Sequence, residues 1–277
     1  MQLHAPAKIN LSFEIKGQRE DGFHEIETLM APISLSDRLM IERSKVTNGI
    51  QFSCDDPSLP TADDNLVVRA ARFFQKTTQI EEGIEIVLEK KIPHGAGLGG
   101  GSSDAATTLL GLNELFETHL DQKELIAIAA EIGSDVPFFI LGSAANCRGR
   151  GEVVEPARLP SRFNLLLVKP DFGVPTPWAY QRWKNSRKLP GVEYALQEFS
   201  GVRFVNDLER PVFEKFALLG YLKKWLRLQP EVGAALLSGS GSTLFAALRD
   251  GADRAMVADR IRAEVDPTMW IFACETI

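Results

Sequence analysis

Apolar and polar side chains alternate with a period of two over 8–15. Ile9, Leu11, Phe13 and Ile15 point one way, and Lys8, Asn10, Ser12 and Glu14 the other, which predicts a strand with one core face and one polar face. Asp21-Gly22 supplies a turn, and 23–30 predicts a second strand. The period then changes. Residues 65–76 (NLVVRAARFFQK) carry apolar positions at helical spacing behind Asp63 and Asp64, which are expected at the N-cap. After a strand-like 84–88 (IEIVL), the positions Ala105, Ala106, Leu109, Leu110, Leu112, Asn113 and Phe116 predict an amphipathic helix. A second helix covers 123–132 and stops at Gly133, and a third starts at 134–137, where Ser134 and Asp135 suit a cap and Pro137 suits a first turn. From 142 to 151 the chain is glycine-rich and aperiodic, so a boundary between domains 1–155 and 156–277 is placed near Glu155-Pro156. Beyond it come a fully apolar strand at 164–168, further helices, and a glycine–serine loop at 237–243 ahead of another strand-like run. Strands and helices mix without a βαβ rhythm, which predicts an α/β (α+β) protein rather than a barrel.

Composition works mainly by exclusion. The 277 residues are 44% apolar and 25% charged, the proportions of a globular chain, and the length suits about two domains of ~150 residues. A net charge of -6 argues against nucleic acid or an anionic membrane as partner. A small anion remains possible, because backbone amides and a few local cations can hold one. Cys54, Cys147 and Cys274 are isolated, which predicts reduced thiols, and the four His show no metal-ligand spacing. No apolar run nears the ~18 residues of a membrane span. Residues 1–8 lack the basic start and apolar stretch of a signal peptide, so a cytoplasmic location is expected.

The chemistry concentrates at 95–103, Gly-Ala-Gly-Leu-Gly-Gly-Gly-Ser-Ser, between a predicted strand and a predicted helix. Glycines permit positive φ and close backbone approach, and the helix start adds partial positive charge, so the loop reads as an anion site. A flexible turn with a Ser cap is the plainer alternative. Gly95 and Gly100 have Walker A spacing, but Gly101 occupies the lysine position. Gly95-x-Gly97-x-x-Gly100 matches the dinucleotide fingerprint literally. That unit, however, needs a strand after the helix, with an acidic residue about twenty positions on; here 117–122 is polar and another helix follows.

Three stretches, Pro6-Ala-Lys-Ile-Asn-Leu11, 93–106 (PHGAGLGGGSSDAA) and 237–245 (LSGSGSTLF), resemble the three motifs of the GHMP small-molecule kinases. Asp21-Gly-Phe-His24, Ser134-Asp-Val-Pro-Phe-Phe139 and Gly149-Arg-Gly-Glu152 narrow the resemblance to the branch whose alcohol acceptor carries a cytidine diphosphate group. The resemblance spans nearly the whole chain and implies a two-domain fold with the active site in the interdomain cleft, ATP and Mg²⁺, and γ-phosphoryl transfer to a hydroxyl. It makes Asp135 the carboxylate that takes the acceptor proton, Lys8 its catalytic partner, and Asn10 a hydrogen-bonding group for the acceptor. Phe23 and His24 match the cytidine-binding pair, although the branch usually has Tyr where this chain has Phe23, and Tyr180 matches a second aromatic. On the ATP side stand Asn65, Pro93, His94, Gly95, Ala96, Gly97, Leu98, Gly99, Gly100, Gly101, Ser102 and Ser103. Mg²⁺ would bind through ATP oxygens with Ser102 or Ser103. Gly239, Ser240 and Gly241 lie in the loop expected to close over the phosphates and acceptor. Plainer roles exist for several of these residues: Asp135 or Asn65 as a helix cap, Lys8 as a solvated strand residue, Phe23 as core. Homoserine- or mevalonate-type kinases are an alternative within the family, though they usually carry a shorter GLGSSAA loop; a non-catalytic nucleotide-binding protein is another. A monomer or weak homodimer is expected, with no nucleic-acid or membrane partner.

Overall fold

A computed structural model of the chain describes residues 1–44 and 49–277. Two long strands, β1 (Gln2–Gln18) and β2 (His24–Arg43), form an antiparallel hairpin whose tip turns at Gly22, with φ of 83°. The first half continues through β3 (Ile50–Cys54), α1 (Leu66–Thr78), β4 (Ile84–Glu89), α2 (Gly100–Leu115), α3 (Gln122–Ile132), α4 (Val136–Leu141), β5 (Ala145–Gly149) and β6 (Val153–Pro156). The second half runs β7 (Asn164–Lys169), α5 (Thr176–Arg182), β8 (Gln197–Phe199), β9 (Val202–Asn206), α6 (Glu209–Lys215), α7 (Ala217–Arg227), β10 (Val232–Leu237), β11 (Leu244–Leu248), α8 (Arg254–Glu264) and β12 (Trp270–Glu275).

The strands make two sheets. One has the order β3-β4-β2-β1-β9-β8, with β5 pairing to β2 and β6 to β5; the other has the order β10-β11-β7-β12. The period-two pattern of β1 sets the layers. Ala7, Ile9 and Leu11 pack with Leu165, Leu167, Ala234, Leu236 and Phe245 between the two sheets. Helices α1 to α4 bury Phe74, Leu109, Ile128 and Phe138 against the other face of the hairpin, and α5 to α8 cover the second sheet with Leu222, Leu226 and Ile261.

Several expectations need correction. The polar face of β1 is closed to water at its start, where Lys8 is 4% exposed and Asn10 1%, because the loop before α2 lies over it; Ser12 and Glu14 remain partly exposed. The second strand runs thirteen residues past its predicted end, to Arg43. Residues 142–151 are not aperiodic, since Ala145, Cys147 and Gly149 of β5 are buried in alternation with exposed Asn146 and Arg148; glycine masked that pattern. Nor is α2 amphipathic, because residues 103–109 are buried on every side. The cap of α1 is Asn65, not Asp63 or Asp64. The first sheet also takes in a strand from the second half of the chain, since β9 pairs parallel to β1 through Ser12↔Val205 and Phe13↔Asn206.

Candidate active site

One cavity of about 690 Å³ opens between β1, the hairpin tip, the glycine-rich loop, the start of α4, α5 and the 239–240 turn. Its floor is built by the strand period. Lys8 and Asn10 share a face, so the Lys8 Nζ donates to Asn10 Oδ1 at 2.7 Å. Asn10 Nδ2 donates to Thr28 Oγ1 at 2.9 Å, and that hydroxyl donates to the Ser12 carbonyl at 2.5 Å. This chain fixes the carboxamide with its oxygen toward Lys8. A buried ammonium is costly unless paired, and the second partner is Asp135, whose Oδ2 lies 3.5 Å from Nζ. Asp135 occupies the N-cap position of α4, yet its side chain makes no capping hydrogen bond and stays 35% exposed. The carboxylate therefore faces the cavity rather than the helix end.

The glycine-rich loop lies above this pair. The Lys8 N–H donates to the Leu98 carbonyl at 2.9 Å, while Ala96 and Leu98 turn their side chains into the core between the sheets. Gly97 and Gly99 have φ of 77° and 71°. A Cβ at Gly97 would collide with the Ser238 carbonyl, and one at Gly99 would lie 3.0 Å from both Lys8 Cγ and Phe139 Cζ. Gly99 begins α2 without a side-chain cap, which leaves first-turn N–H groups available to an anion. The loop from Ser238 to Thr243 is already seated here. Ser238 Oγ donates to the Gly97 carbonyl at 2.9 Å, and the Thr243 N–H donates to the Ala96 carbonyl at 3.2 Å. Pro93 through Ser102 line the cavity, as do Gly239 and Ser240. Ser103 and Gly241 are outside the lining, and Ser103 is fully buried.

At the opposite end the side chains are aromatic. Phe23, at the hairpin tip, is 52% exposed, and the Arg150 guanidinium sits 4.9 Å from its ring centroid. The His24 ring lies 5.2 Å from Tyr180 and 6.0 Å from Trp183. Burial, reinforced by Lys184, holds the His24 imidazole below its ordinary pKa, which keeps it neutral and able both to donate and to accept. Burial and then Asp135 push the Tyr180 phenol up. Asn65 also lines the cavity, with both ends of its carboxamide occupied: Oδ1 accepts from the Val67 N–H at 2.9 Å, and Nδ2 donates to the Pro60 carbonyl at 2.8 Å.

Two cations of the site had no assigned role in the sequence. Lys90 pairs with buried Asp37 and, at 2.8 Å, with Asp104. Burial pulls its ammonium down, but Asp104 and Asp37 outweigh that and leave it above its ordinary pKa. The Asp37 Oδ1 also accepts from the Ile92 N–H at 2.8 Å, so this cluster anchors the entry to the glycine-rich loop. Its members are 53 and 14 residues apart from Lys90, a separation with no periodic signature. Arg150 belongs to the Gly149–Glu152 motif, whose recognition gave no side-chain direction.

Comparison with known proteins places this geometry. The GHMP kinases N terminal domain profile matches residues 65–143. A protein of Methylacidiphilum infernorum named 4-diphosphocytidyl-2-C-methyl-D-erythritol kinase is 42% identical, over 96% of this chain and 93% of its own length. A solved structure of 4-(cytidine 5'-diphospho)-2C-methyl-D-erythritol kinase superposes with a TM-score of 0.80 at 37% identity, covering 100% of both chains. Homoserine kinase from Cytophaga hutchinsonii shares the fold, with a TM-score of 0.67 at 20% identity over 100% of this chain and 94% of its own.

Proposed function

The chain belongs to the 4-diphosphocytidyl-2-C-methyl-D-erythritol kinases, a branch of the GHMP kinases, and from that membership we propose how it acts. It transfers the γ-phosphoryl group of ATP to the 2-hydroxyl of 4-diphosphocytidyl-2-C-methyl-D-erythritol, on the non-mevalonate route to isoprenoid precursors. The observation that carries this reading is one continuous cavity holding the Lys8–Asp135 pair, with a glycine-lined helix start on one side and an aromatic cluster on the other.

ATP lies along 93–102, its phosphates against the amides that open α2. The acceptor enters from the hairpin tip with its cytosine among Phe23, His24 and Tyr180, and its diphosphate passes the Arg150 guanidinium. Its hydroxyl then reaches Asp135. As the new P–O bond forms and the bond from γ-phosphorus to the β-bridging oxygen breaks, the hydroxyl proton passes to Asp135 and ADP leaves. Lys8 holds the carboxylate in place, and its charge offsets negative charge on the transferring group. Such a transfer asks the protein mainly for positioning and charge stabilisation.

The donor set suits a Mg²⁺ carried in by the nucleotide. No group of three or more His, Cys, Asp or Glu capable of holding a metal is found among the described residues, and Mg²⁺ commonly keeps water and phosphate oxygens as ligands. The cavity-lining Ser102 hydroxyl fits better than the fully buried Ser103. Bound there, the ion would supply neutralisation of phosphate charge.

One chain supplies every residue named, so a monomer or weak homodimer suffices. No helix among the described residues is long and apolar enough to cross a membrane, which fits a cytoplasmic enzyme. The domain reading, 1–155 and 156–277 with the cleft between, belongs to the same proposal, with β9 as a strand lent across it.

Phe23→Ala tests the acceptor end. Loss of a base–aromatic stack worth ~1–3 kcal/mol lowers affinity for the cytidine-bearing acceptor by about 5- to 150-fold, with ATP affinity nearly unchanged. An acceptor lacking cytidine binds wild type poorly and is insensitive to the substitution. Titration calorimetry with each ligand separates these effects, and equal weakening toward both acceptors would leave Phe23 as a packing residue.

A further inference from the structure

The segment 206–209 grips both halves of the site and takes no part in the scheme above. Asn206, 4% exposed, donates through Nδ2 to the Leu237 carbonyl and to the Gly239 carbonyl, both at 2.8 Å. Its Oδ1 accepts from the Leu208 N–H at 2.8 Å. The same segment holds β1. The Asp207 N–H donates to the Phe13 carbonyl at 2.9 Å, and Asp207 Oδ2 accepts from the Ile15 N–H at 2.8 Å. Glu209 completes the grip, accepting from the Leu237 N–H at 3.1 Å and from buried Lys223 at 2.5 Å. What Asn206 holds lies beside Lys8 and Asn10: a Cβ placed on Gly239 would be 3.2 Å from Asn10 Oδ1 and 3.4 Å from Lys8 Nζ.

We infer that Asn206 is a positioning residue, whose carboxamide fixes the 238–243 loop against Lys8 and Asn10 and so sets where the acceptor hydroxyl meets the γ-phosphoryl group. The inference rests on the phosphoryl-transfer reading given above. A carboxamide suits this position because both of its N–H groups are used on carbonyl oxygens. A carboxylate of the same shape would set oxygen against oxygen. Gln197 of β8 provides a matched contrast. It is equally buried and bonds β10 twice, donating to the Ala235 carbonyl at 2.9 Å and accepting from the Ala235 N–H at 3.0 Å, but two residues short of the end of β10.

The test compares Asn206→Asp with Gln197→Glu in the full chain, with ATP, Mg²⁺ and the cytidine-bearing acceptor. Both variants lower the melting temperature. Because misplacement by about 1 Å can cost about 10²-fold, Asn206→Asp lowers kcat by roughly 10- to 100-fold while the acceptor KM moves less than about threefold. Gln197→Glu holds kcat within about threefold of wild type. Hydrogen exchange at the amides of 238–243 speeds up in Asn206→Asp and not in Gln197→Glu. If Asn206→Asp fails to fold, Asn206→Ser, which keeps one donor, gives the same two signs with smaller size. Equal kcat losses in the two variants, or unchanged exchange at 238–243 in the Asn206 variant, overturn the inference. A wild-type protein that does not phosphorylate this acceptor overturns the functional reading instead, and the exchange comparison still decides whether Asn206 holds the loop.

Discussion

Asp135→Asn lowers kcat by at least about 10²-fold, the low end of what a positioned general base contributes. The substitution isolates the chemistry, because the side chain is one-third exposed and caps nothing. The new carboxamide oxygen can still accept from Lys8, but the buried ammonium loses its charged partner, so stability falls by about 1–3 kcal/mol while the chain still folds. ATP affinity is retained, since the glycine-rich loop and the start of α2 are untouched. Steady-state kinetics with a thermal melt and an ATP titration read all three. A variant that turns over at more than a tenth of the wild-type rate, while folded, would leave the hydroxyl proton without a base and overturn the role given to Asp135.

Lys8→Met produces a loss of similar size for a different reason. Met keeps the stem that packs beneath Gly99 and removes the charge, and loss of one preorganised donor to developing charge typically costs about 10²- to 10³-fold in kcat. The variant also leaves the buried Asn10 oxygen without its 2.7 Å donor, at a cost of about 1–3 kcal/mol that a thermal melt detects. Asp135 and Lys8 act on one event, so the double variant is only slightly slower than the slower single one, whereas independent effects would multiply. A fully multiplicative double variant would mean that Lys8 stabilises the strand and does not assist the transfer.

The parts of the site carried by short-range rules could be read from the chain. Strand alternation puts Lys8 and Asn10 on one face, Gly95 to Gly101 announce a backbone cradle, and Asp21-Gly22 announces the hairpin tip that presents Phe23. What stayed hidden depends on layers laid over one another. Nothing in 8–15 reveals that the loop of residues 95–99 covers the start of the polar face of β1 and turns a solvated lysine into a buried, paired one. Asp135 illustrates the limit best, because an Asp one residue ahead of Val136-Pro137 fits a cap, and only the direction of its side chain separates cap from base. Lys90 with Asp37 and Asp104, and Asn206 with Leu237 and Gly239, are contacts across distant segments that no local pattern encodes. The same holds for β9, which leaves the second half of the chain to pair with β1.

The central claim, phosphoryl transfer to the 2-hydroxyl, is tested most directly by phosphorus NMR of the product formed from ATP, Mg²⁺ and 4-diphosphocytidyl-2-C-methyl-D-erythritol. Carbon 2 bears the methyl group and no hydrogen, so a phosphate on its oxygen has no proton three bonds away. The account predicts ADP together with a new phosphomonoester resonance that remains a singlet without proton decoupling. A phosphomonoester split by carbon-bound protons would place the phosphate on another hydroxyl, and ADP release without any new phosphomonoester would show that water is the acceptor; either result contradicts the account.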